Sequence, residues 1–246
     1  MVEKFRPVNN TPPSTLLGKL KFYGRMLLDL QALTVYRDVR KIVPSFAGTV
    51  LDVGCGQSPY RFLLDPSKVE YVGVDIVDAA KFDYDNPDIV PFDGEHLPFP
   101  DESFSGVICT EVLEHVQHYQ TLIDEMFRTM KRGAAGIVTV PWSARFHYVP
   151  YDYFRYTPSS LETMFSAFRN VQVKARGTDI VTIVSKLVVV WARNIVPVNP
   201  WRFIFVPLWL VLLPVLAIAV LVGHIALIVT AGSTDDPLGY TIVFRK

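Results

Sequence analysis

Glycines and carboxylates recur in the first half of the chain at the spacing of a nucleoside-binding pocket. The motif LDVGCG carries an apolar run into a turn at Gly54 and Gly56, where the backbone can approach a ligand closely. Asp75 follows about 20 residues later, where a carboxylate accepts both ribose hydroxyls, and Asp93 can accept from an exocyclic amine. A dinucleotide site needs a third glycine where this chain has Pro59. The pattern therefore indicates a nucleoside site without phosphate-binding features.

A second group of candidate residues lies in the segment EVLEHVQH, residues 111–118. Glu111 and Glu114 are three residues apart and Glu111 and His115 are four apart, so one helical face would carry all three. A general base here would take a proton from a reacting hydroxyl, an effect of roughly 10²- to 10⁴-fold. The alternative is that His115 packs or hydrogen-bonds beneath a bound cofactor, and the residues alone leave both roles open.

The elements that must position these residues alternate between strands and helices. Apolar residues recur at helical spacing from the N-cap Ser14 to Val43, and Pro44 ends that run. Apolar segments predict strands at residues 49–53, 71–76, 89–92, 104–109, 136–140, 171–175 and 240–244. Further helices are predicted at residues 60–64, 111–130 and 159–168. This alternation predicts an α/β fold with a parallel sheet and helices on both faces.

In these motifs the chain resembles the class I S-adenosylmethionine (SAM) dependent methyltransferases, within their broad small-molecule group. The resemblance rests on LDVGCG, YVGVDI, FDGEHLPFPDESFSGVICTEVLEHV and DYFRYT, and covers about residues 45–177 plus the closing strand. It implies SAM as cofactor and a doubly wound, seven-stranded Rossmann-like sheet whose last strand is antiparallel. The glycines would wrap the methionine part, Asp75 would hold the ribose and Asp93 would contact adenine. The predicted cofactor-binding residues are Asp52, Gly54, Gly56, Asp75, Ile76, Asp93, Gly94 and Glu111.

The resemblance places the acceptor pocket in the aromatic segment PWSARFHYVPYDYFRYT, residues 141–157. We expect His147, Asp152 and Tyr153 to touch the acceptor, although about half of the residues singled out in this segment should prove structural. The predicted catalytic residues are His115, His147 and Tyr153. Related quinone-pathway methyltransferases resemble the stretch around His115, and some are proposed to use a metal there. Metal binding is thus a third alternative for His115, beside packing and base catalysis, and the prediction is a site without metal.

The C-terminal part breaks the alternation of strands and helices. Residues 203–230 contain no Asp, Glu, Lys or Arg, and a spanning helix needs roughly 20 apolar residues. Pro207 and Pro214 favour a kinked, re-entrant or in-plane arrangement over a straight span. Because the closing strand must rejoin the sheet, we expect the apolar insertion to return to the side it left. A single pass and a buried soluble helix are the alternatives.

These patterns divide the chain into four parts: an N-terminal helical segment (1–45), a methyltransferase domain (46–178), membrane-associated apolar helices (179–232) and a closing strand (233–246). Basic and acidic residues number 24 each, so no global charge draws the protein to nucleic acid. The N-terminus has no apolar signal sequence, and Arg193 and Arg202 precede the apolar run. We therefore expect a membrane-associated protein whose catalytic domain is cytoplasmic.

The predicted function is transfer of a methyl group from SAM, at oxygen, to a membrane-proximal or lipid-linked acceptor. That acceptor would be a small molecule or a glycan. The alternative is a membrane-tethered SAM-binding subunit without catalytic activity. The cofactor motifs and the aromatic acceptor segment favour the enzyme, whereas a cavity filled by side chains would favour the subunit.

Overall fold

A computed structural model describes residues 11–76, 89–195 and 200–246. The strands are β1 Gly48–Val53, β2 Val69–Ile76, β3 Ile89–Phe92, β4 Phe104–Thr110, β5 Met130–Pro141, β6 Arg169–Arg176 and β7 Gly239–Arg245. They form one sheet in the order β3-β2-β1-β4-β5-β7-β6. Strands β1 to β5 run parallel, and β7 lies antiparallel between β5 and β6. The predicted seven-stranded sheet with an antiparallel last strand is confirmed, although β5 begins earlier than the predicted Gly136.

Helices cover both faces and one end of this sheet. The α-helices of the described ranges are α1 Leu16–Arg25, α2 Leu30–Ile42, α3 Tyr119–Thr129, α4 Pro158–Met164, α5 Asp179–Ile195, α6 Val206–Val211 and α7 Leu213–Val229. Short 3-10 turns lie at Val43–Ser45, Arg61–Leu63, Leu113–His115 and Pro200–Phe205. The single helix predicted from Ser14 is divided, because Asp29 accepts from the Ala32 amide at 3.0 Å and starts a new helix. Thr15 rather than Ser14 caps the first helix, by accepting from the Gly18 amide.

The core lies on both faces of the central strands, because consecutive strand residues point to opposite sides. Val50 of β1 packs with Val35 and Val39 of α2, in a cluster that also holds Ile108 and Ile137. Its neighbour Leu51 faces the other way, into the larger cluster that includes α3 and α4. The buried residues that α3 and α4 contribute to that cluster are Leu122, Ile123, Met126, Leu161 and Met164. This two-sided burial fixes the carboxyl ends of the strands, where the functional residues lie.

The apolar segment is inserted between β6 and β7 and packs through α7 on α5 and α2. A Cβ atom on Gly223 would lie 2.9 Å from Val184 of α5 and 3.1 Å from Leu30 of α2, so the helices approach closely there. The other sides of α7 are exposed, and Ile218, Leu221 and Ile228 keep 64%, 60% and 73% of their surface accessible. The prediction that the chain returns to the sheet as its closing strand is confirmed.

Two consecutive helical segments have the composition of a membrane segment. Trp201–Val211 and Leu213–Val229 reach the necessary length only as a pair, and the pair is bent by 59°. In the part of the chain that the structure describes, no single helix is long and apolar enough to cross a membrane.

Candidate active site

A cavity of about 950 Å³ opens at the carboxyl ends of β1, β2, β4 and β5. This is the edge of a doubly wound sheet where ligands bind, because the strand order reverses there. The predicted site residues that line it are Gly54, Gly56, Asp75, Ile76, Asp93, Gly94, Glu111, His115, His147 and Tyr153. The structure therefore brings together every predicted site residue except Asp52 and Asp152.

The glycine turn forms one wall of the cavity. Gly54 and Gly56 have φ angles of +65° and +49°, in the left-handed region that favours glycine. A Cβ atom on Gly54 would lie 2.4 Å from Val112 Cγ2, so no side chain fits at that position. The bare backbone of this turn forms a cradle that a ligand can approach.

Asp75 supports the glycine turn and also faces the cavity. Its Oδ2 accepts from the Gly56 amide and its Oδ1 from the Ile76 amide, each at 2.8 Å. Burial raises the pKa of Asp75, although these two amide hydrogen bonds oppose the shift. Each carboxylate oxygen keeps a further lone pair, so both can still accept from ligand hydroxyls.

Asp93 also lines the cavity, in a tight turn after β3, the strand beside β2. Its Oδ1 accepts from the amides of Glu95 and His96, at 2.8 and 2.6 Å. These backbone hydrogen bonds lower the pKa of Asp93 to about 2. The carboxylate is therefore charged at every physiological pH and is available as a hydrogen-bond acceptor.

Asp52 lies behind the turn, and the structure does not place it among the cavity-lining residues. Its Oδ2 accepts from the Tyr71 hydroxyl at 2.7 Å, and that hydroxyl lies 2.7 Å from Ser58 Oγ. Burial raises the pKa of Asp52 to about 7, against the lowering effect of the Tyr71 hydrogen bond. Through Tyr71, Asp52 therefore helps to hold the loop that follows the glycine turn.

The prediction that Glu111, Glu114 and His115 share a helical face is wrong. Glu111 has a φ of +55°, a 3-10 turn covers Leu113–His115, and α3 begins only at Tyr119. Two distant residues hold the Glu111 carboxylate instead of helical neighbours. Buried Arg176 donates to Oε1 at 2.7 Å and Gln31 donates to Oε2 at 2.9 Å. The sequence carried no signal for either partner, since they lie 65 and 80 residues away along the chain.

Glu114 and His115 both line the cavity. The Glu114 side chain is completely buried, and neither carboxyl oxygen has a hydrogen-bond partner among the described residues. Burial raises the pKa of Glu114 well above its ordinary value, and the nearby Glu111 charge adds to the shift. Burial also lowers the pKa of His115, whose Nδ1 faces the carbonyl oxygen of Tyr151. Burial thus favours the uncharged form of both side chains.

Comparisons with known proteins agree with this geometry. Residues 51–138 match the protein-family model described as a methyltransferase domain. This match covers the glycine turn, the three aspartates predicted to bind the cofactor and the segment that contains Glu114 and His115. The chain thus contains a methyltransferase domain over these residues.

Relatives of this methyltransferase domain occur in bacteria and archaea. An uncharacterized protein of Methanocaldococcus jannaschii is 27% identical over 122 residues, which are 48% of this chain and 53% of that protein. A probable S-adenosylmethionine-dependent methyltransferase of Mycolicibacterium smegmatis is 28% identical over 96 residues, 37% of each chain. The chain thus matches about half or less of the length of these curated relatives. A SAM-dependent methyltransferase crystal structure from Archaeoglobus fulgidus has the same fold, with a TM-score of 0.55, 19% identity and coverage of 94% of this chain and 98% of its own.

The methyltransferase domain and its fold imply SAM as the cofactor, and the cavity fits it. The backbone of Gly54 and Gly56 lines the cavity where the methionine part would lie. Asp75 would offer two acceptor oxygens to the ribose, and the charged Asp93 would offer acceptors to the adenine amine. These residues come from the ends of three successive strands, so the sheet itself sets their spacing.

The predicted acceptor segment, residues 141–157, divides into cavity-lining and structural residues. His147, Tyr148, Tyr151 and Tyr153 line the cavity. In contrast, Tyr156 donates to the Leu113 carbonyl oxygen, and Trp142 Nε1 donates to Asp236 at 3.0 Å. Asp152 also has a structural role. Its side chain is 1% exposed, and it contacts Arg155 and His147. The expectation that Asp152 touches the acceptor is therefore wrong, and Arg155, three residues later, is the charge partner that the sequence did not reveal.

The third alternative for His115 was metal binding, and it requires further metal ligands close to this side chain. Over residues 11–76, 89–195 and 200–246, no group of three or more His, Cys, Asp or Glu side chains is placed to hold a metal ion.

Proposed function

We propose that this domain transfers the methyl group of SAM to a hydroxyl oxygen of a membrane-proximal or lipid-linked acceptor, either a small molecule or a glycan. The observation that carries the proposal is an exposed apolar surface next to the open cavity. We call it the apolar face and define it by the exposed residues Leu16, Leu17, Leu20, Leu27 and Leu28 near α1, and Leu208, Leu210, Val211, Leu213, Val215, Ile218, Leu221, Val222, Ile225, Ile228 and Val229 of α6 and α7.

The two parts of the apolar face are in contact. His224 of α7 donates from Nε2 to the carbonyl oxygen of Leu27 at 2.9 Å, which ties α7 to the link between α1 and α2. That same link lines the cavity through Arg25, Asp29 and Gln31. An acceptor held at the apolar face therefore lies beside the entrance of the cavity.

A lipid bilayer is the occupant that this surface fits. Soluble monomers rarely expose contiguous apolar patches larger than a few hundred Å². A helix that is apolar all round, as α7 is, needs either a protein core or lipid around it, and here only Gly223 and Ala226 are buried. Lys19 and Lys21 of α1 are exposed beside these leucines and can bind anionic headgroups. The bend between α6 and α7 suits an in-plane or re-entrant arrangement.

The chemistry of the cavity supports an oxygen acceptor and an active enzyme. When bound, SAM supplies a methyl group that its sulfonium has already activated, and S-adenosylhomocysteine is left as a neutral thioether. The chain must then align the acceptor and remove its proton. Neutral His115 and the nearby His147 supply imidazole nitrogens at the cavity wall. A cavity of about 950 Å³ leaves room for both molecules, which supports the enzyme over a non-catalytic SAM-binding subunit.

The activity is tested with methyl-labelled SAM and a membrane lipid extract. We expect label in the organic phase, and we expect it to survive mild alkali, because methyl ethers resist hydrolysis that cleaves methyl esters. Label that remains in water-soluble products would contradict the lipid-linked acceptor. Label lost on alkali treatment would contradict an ether product.

Membrane docking is tested with vesicles of phosphatidylcholine and phosphatidylglycerol. The triple variant Ile218→Ser, Leu221→Ser and Ile228→Ser removes exposed apolar area without touching Gly223 or Ala226, so it should fold and lose vesicle co-flotation by at least about tenfold. The control is Glu162→Ser with Lys174→Ser, two exposed positions on α4 and β6. Equal flotation of all three proteins would exclude the apolar face as the docking surface.

We further propose that the catalytic domain lies on the cytoplasmic side of the membrane. Both native cysteines, Cys55 and Cys109, are buried, so they give little background to a thiol reagent. A cysteine introduced at the exposed Thr234 should react with an impermeant reagent only after the cytoplasmic face is opened. Labelling from the outside of intact cells would contradict this orientation.

A further inference from the structure

The proton on the His147 ring has a defined position. Nδ1 lies 2.8 Å from the carbonyl oxygen of Arg145 and 3.1 Å from Asp152 Oδ2, and both of these atoms can only accept. Nδ1 must therefore carry the hydrogen in the neutral ring, which leaves the lone pair on Nε2. Among the contacts of the described residues, none engages Nε2. His147 lines the cavity, so this basic nitrogen is the one left for an acceptor.

Asp152 is held in place as a charged carboxylate beside this ring. Arg155 donates to Oδ1 at 2.6 Å and to Oδ2 at 2.9 Å, and the backbone amide of His147 donates to Oδ2 at 2.9 Å. Burial alone would raise the pKa of Asp152, but the hydrogen bonds from Arg155 and His147 bring it below its ordinary value. With 1% of its side chain exposed, Asp152 cannot reach an acceptor and acts only through His147.

The neighbouring histidine lacks such a carboxylate. The rings of His115 and His147 are 5.1 Å apart, and His115 also presents Nδ1 to a carbonyl oxygen, that of Tyr151. Its Nε2 lies 3.7 Å from Glu114 Oε1, and burial raises the pKa of that carboxyl well above its ordinary value. The Asp152 charge also acts on His115, but only His147 is in direct contact with the Asp152 carboxylate. The two rings look alike in sequence, and their carboxylate partners distinguish them.

We propose that His147 Nε2 is the proton acceptor of the reaction and that Asp152 is its positioning residue, an inference that rests on the proposed methyl transfer to oxygen. As the acceptor oxygen gains the methyl group, its O–H bond breaks and the proton moves to Nε2. The electrons of the S–CH3 bond stay on the departing sulfur. The imidazolium formed is stabilised by the Asp152 carboxylate, and solvent removes its proton after product release.

The first test is the tautomer of His147, which needs neither acceptor nor turnover. In protein labelled with ¹⁵N at its five histidines, the signals lost in His147→Gln are those of His147. We expect Nδ1 protonated and Nε2 unprotonated at pH 8. A ring protonated at Nε2 instead would overturn the proposal.

The second test is label transfer from SAM to the lipid extract. His147→Ala should lose about 10²- to 10⁴-fold in rate and regain part of it with added imidazole. Asp152→Asn, which keeps the size but not the charge, should lose at least about tenfold, and the double variant should be no slower than His147→Ala. SAM affinity by calorimetry should stay unchanged in all of them. The matched control is Asp124→Asn, an exposed aspartate of α3.

Several outcomes would overturn the proposal that His147 accepts the proton and that Asp152 positions it. A wild-type rate in Asp152→Asn would remove its positioning role, and weakened SAM binding in that variant would make the role structural. Turnover that is lost on chelation and restored by Mg²⁺ would assign the histidines to a metal instead. If wild-type protein transfers no label at all, the proposed function fails while the tautomer measurement still tests the state of His147.

Discussion

The fully buried guanidinium of Arg176 donates a hydrogen bond of 2.7 Å to Glu111 at the edge of the cavity. Arg176 ends β6 and Glu111 follows β4, so the pair joins strands that are not neighbours in the sheet. The same guanidinium donates to the Val140 carbonyl oxygen at 2.9 Å. One cation therefore connects the floor of the cavity to the end of β5.

Removing Arg176 should destabilise the protein strongly. Arg176→Met leaves Glu111 without its cation and should lower the free energy of unfolding by about 3 kcal/mol, because breaking a buried pair leaves an uncompensated charge. Adding Glu111→Gln should recover part of that loss. Urea unfolding measures both effects. Arg132→Met removes an exposed pair with Glu102 and should cost less than about 0.5 kcal/mol; equal losses in the two arginine variants would contradict the importance of burial.

A methyl group on the glycine turn should weaken cofactor binding. Gly54→Ala would place Cβ 2.4 Å from Val112 and strain a φ of +65°, so SAM affinity should fall at least about tenfold. Gly133→Ala is the matched control, since its φ is +80° and nothing lies within 4 Å of its Cβ. The control should lose a similar amount of stability from backbone strain, about 1–2 kcal/mol, and keep its SAM affinity. Calorimetry showing unchanged SAM binding in Gly54→Ala would rule out the cradle.

Asp75 should contribute to SAM binding both directly and through the glycine turn. Asp75→Ala removes the acceptors offered to the ribose and the acceptor of the Gly56 amide, so binding should weaken by about 1.5–3 kcal/mol. Isothermal calorimetry gives this difference. Asp65→Ala, on an exposed turn remote from the cavity, serves as the control. Wild-type affinity in Asp75→Ala would remove this residue from the cofactor site.

Glu114 should make the protein less stable as the pH rises. Its pKa is raised in the folded state, so above about pH 4.3 the folded protein retains a proton that the unfolded chain releases. The contribution of this group to the free energy of unfolding therefore decreases with pH until the folded-state pKa is passed. Glutamine does not titrate, so the stability of Glu114→Gln relative to wild type should increase from pH 5 to pH 8. Urea unfolding across that range checks the trend, and a pH-independent difference, as expected for the exposed Glu162→Gln, would contradict it.

The strands and the cavity were predictable because both depend on local pattern. Apolar runs such as LDVGCG and YVGVDI end on glycine or aspartate, and a parallel sheet brings those ends to one edge. The same pattern predicts that Asp75 and Asp93 lie at this edge, and both line the cavity. The closing strand was predictable too. The side chains at residues 240–244 alternate as in a half-buried strand, and this pattern indicates a strand whichever neighbour it pairs with.

What the sequence could not show depends on contacts between distant residues or on single backbone angles. The left-handed φ of Glu111 turns its carboxylate toward Arg176, and no periodicity encodes such an angle. The signal for Asp152 was present but weak, because Arg155 three residues later is an ordinary spacing for an ion pair. The N-cap at Asp29 was also readable, but the apolar residues on both sides of it concealed the break between helices.

Because β7 is the last strand of the chain, the sheet can be completed only at the end of synthesis. β6 ends at Arg176 and has β7 as its sheet neighbour, but β7 begins only at Gly239, about 60 residues later. While the ribosome makes the intervening segment, β6 has no strand to pair with, and the long-range loop closes only after α7 has been completed. The apolar helices therefore leave the exit tunnel before the sheet is finished. A nascent chain that meets a lipid surface at that stage would complete its catalytic sheet already tethered.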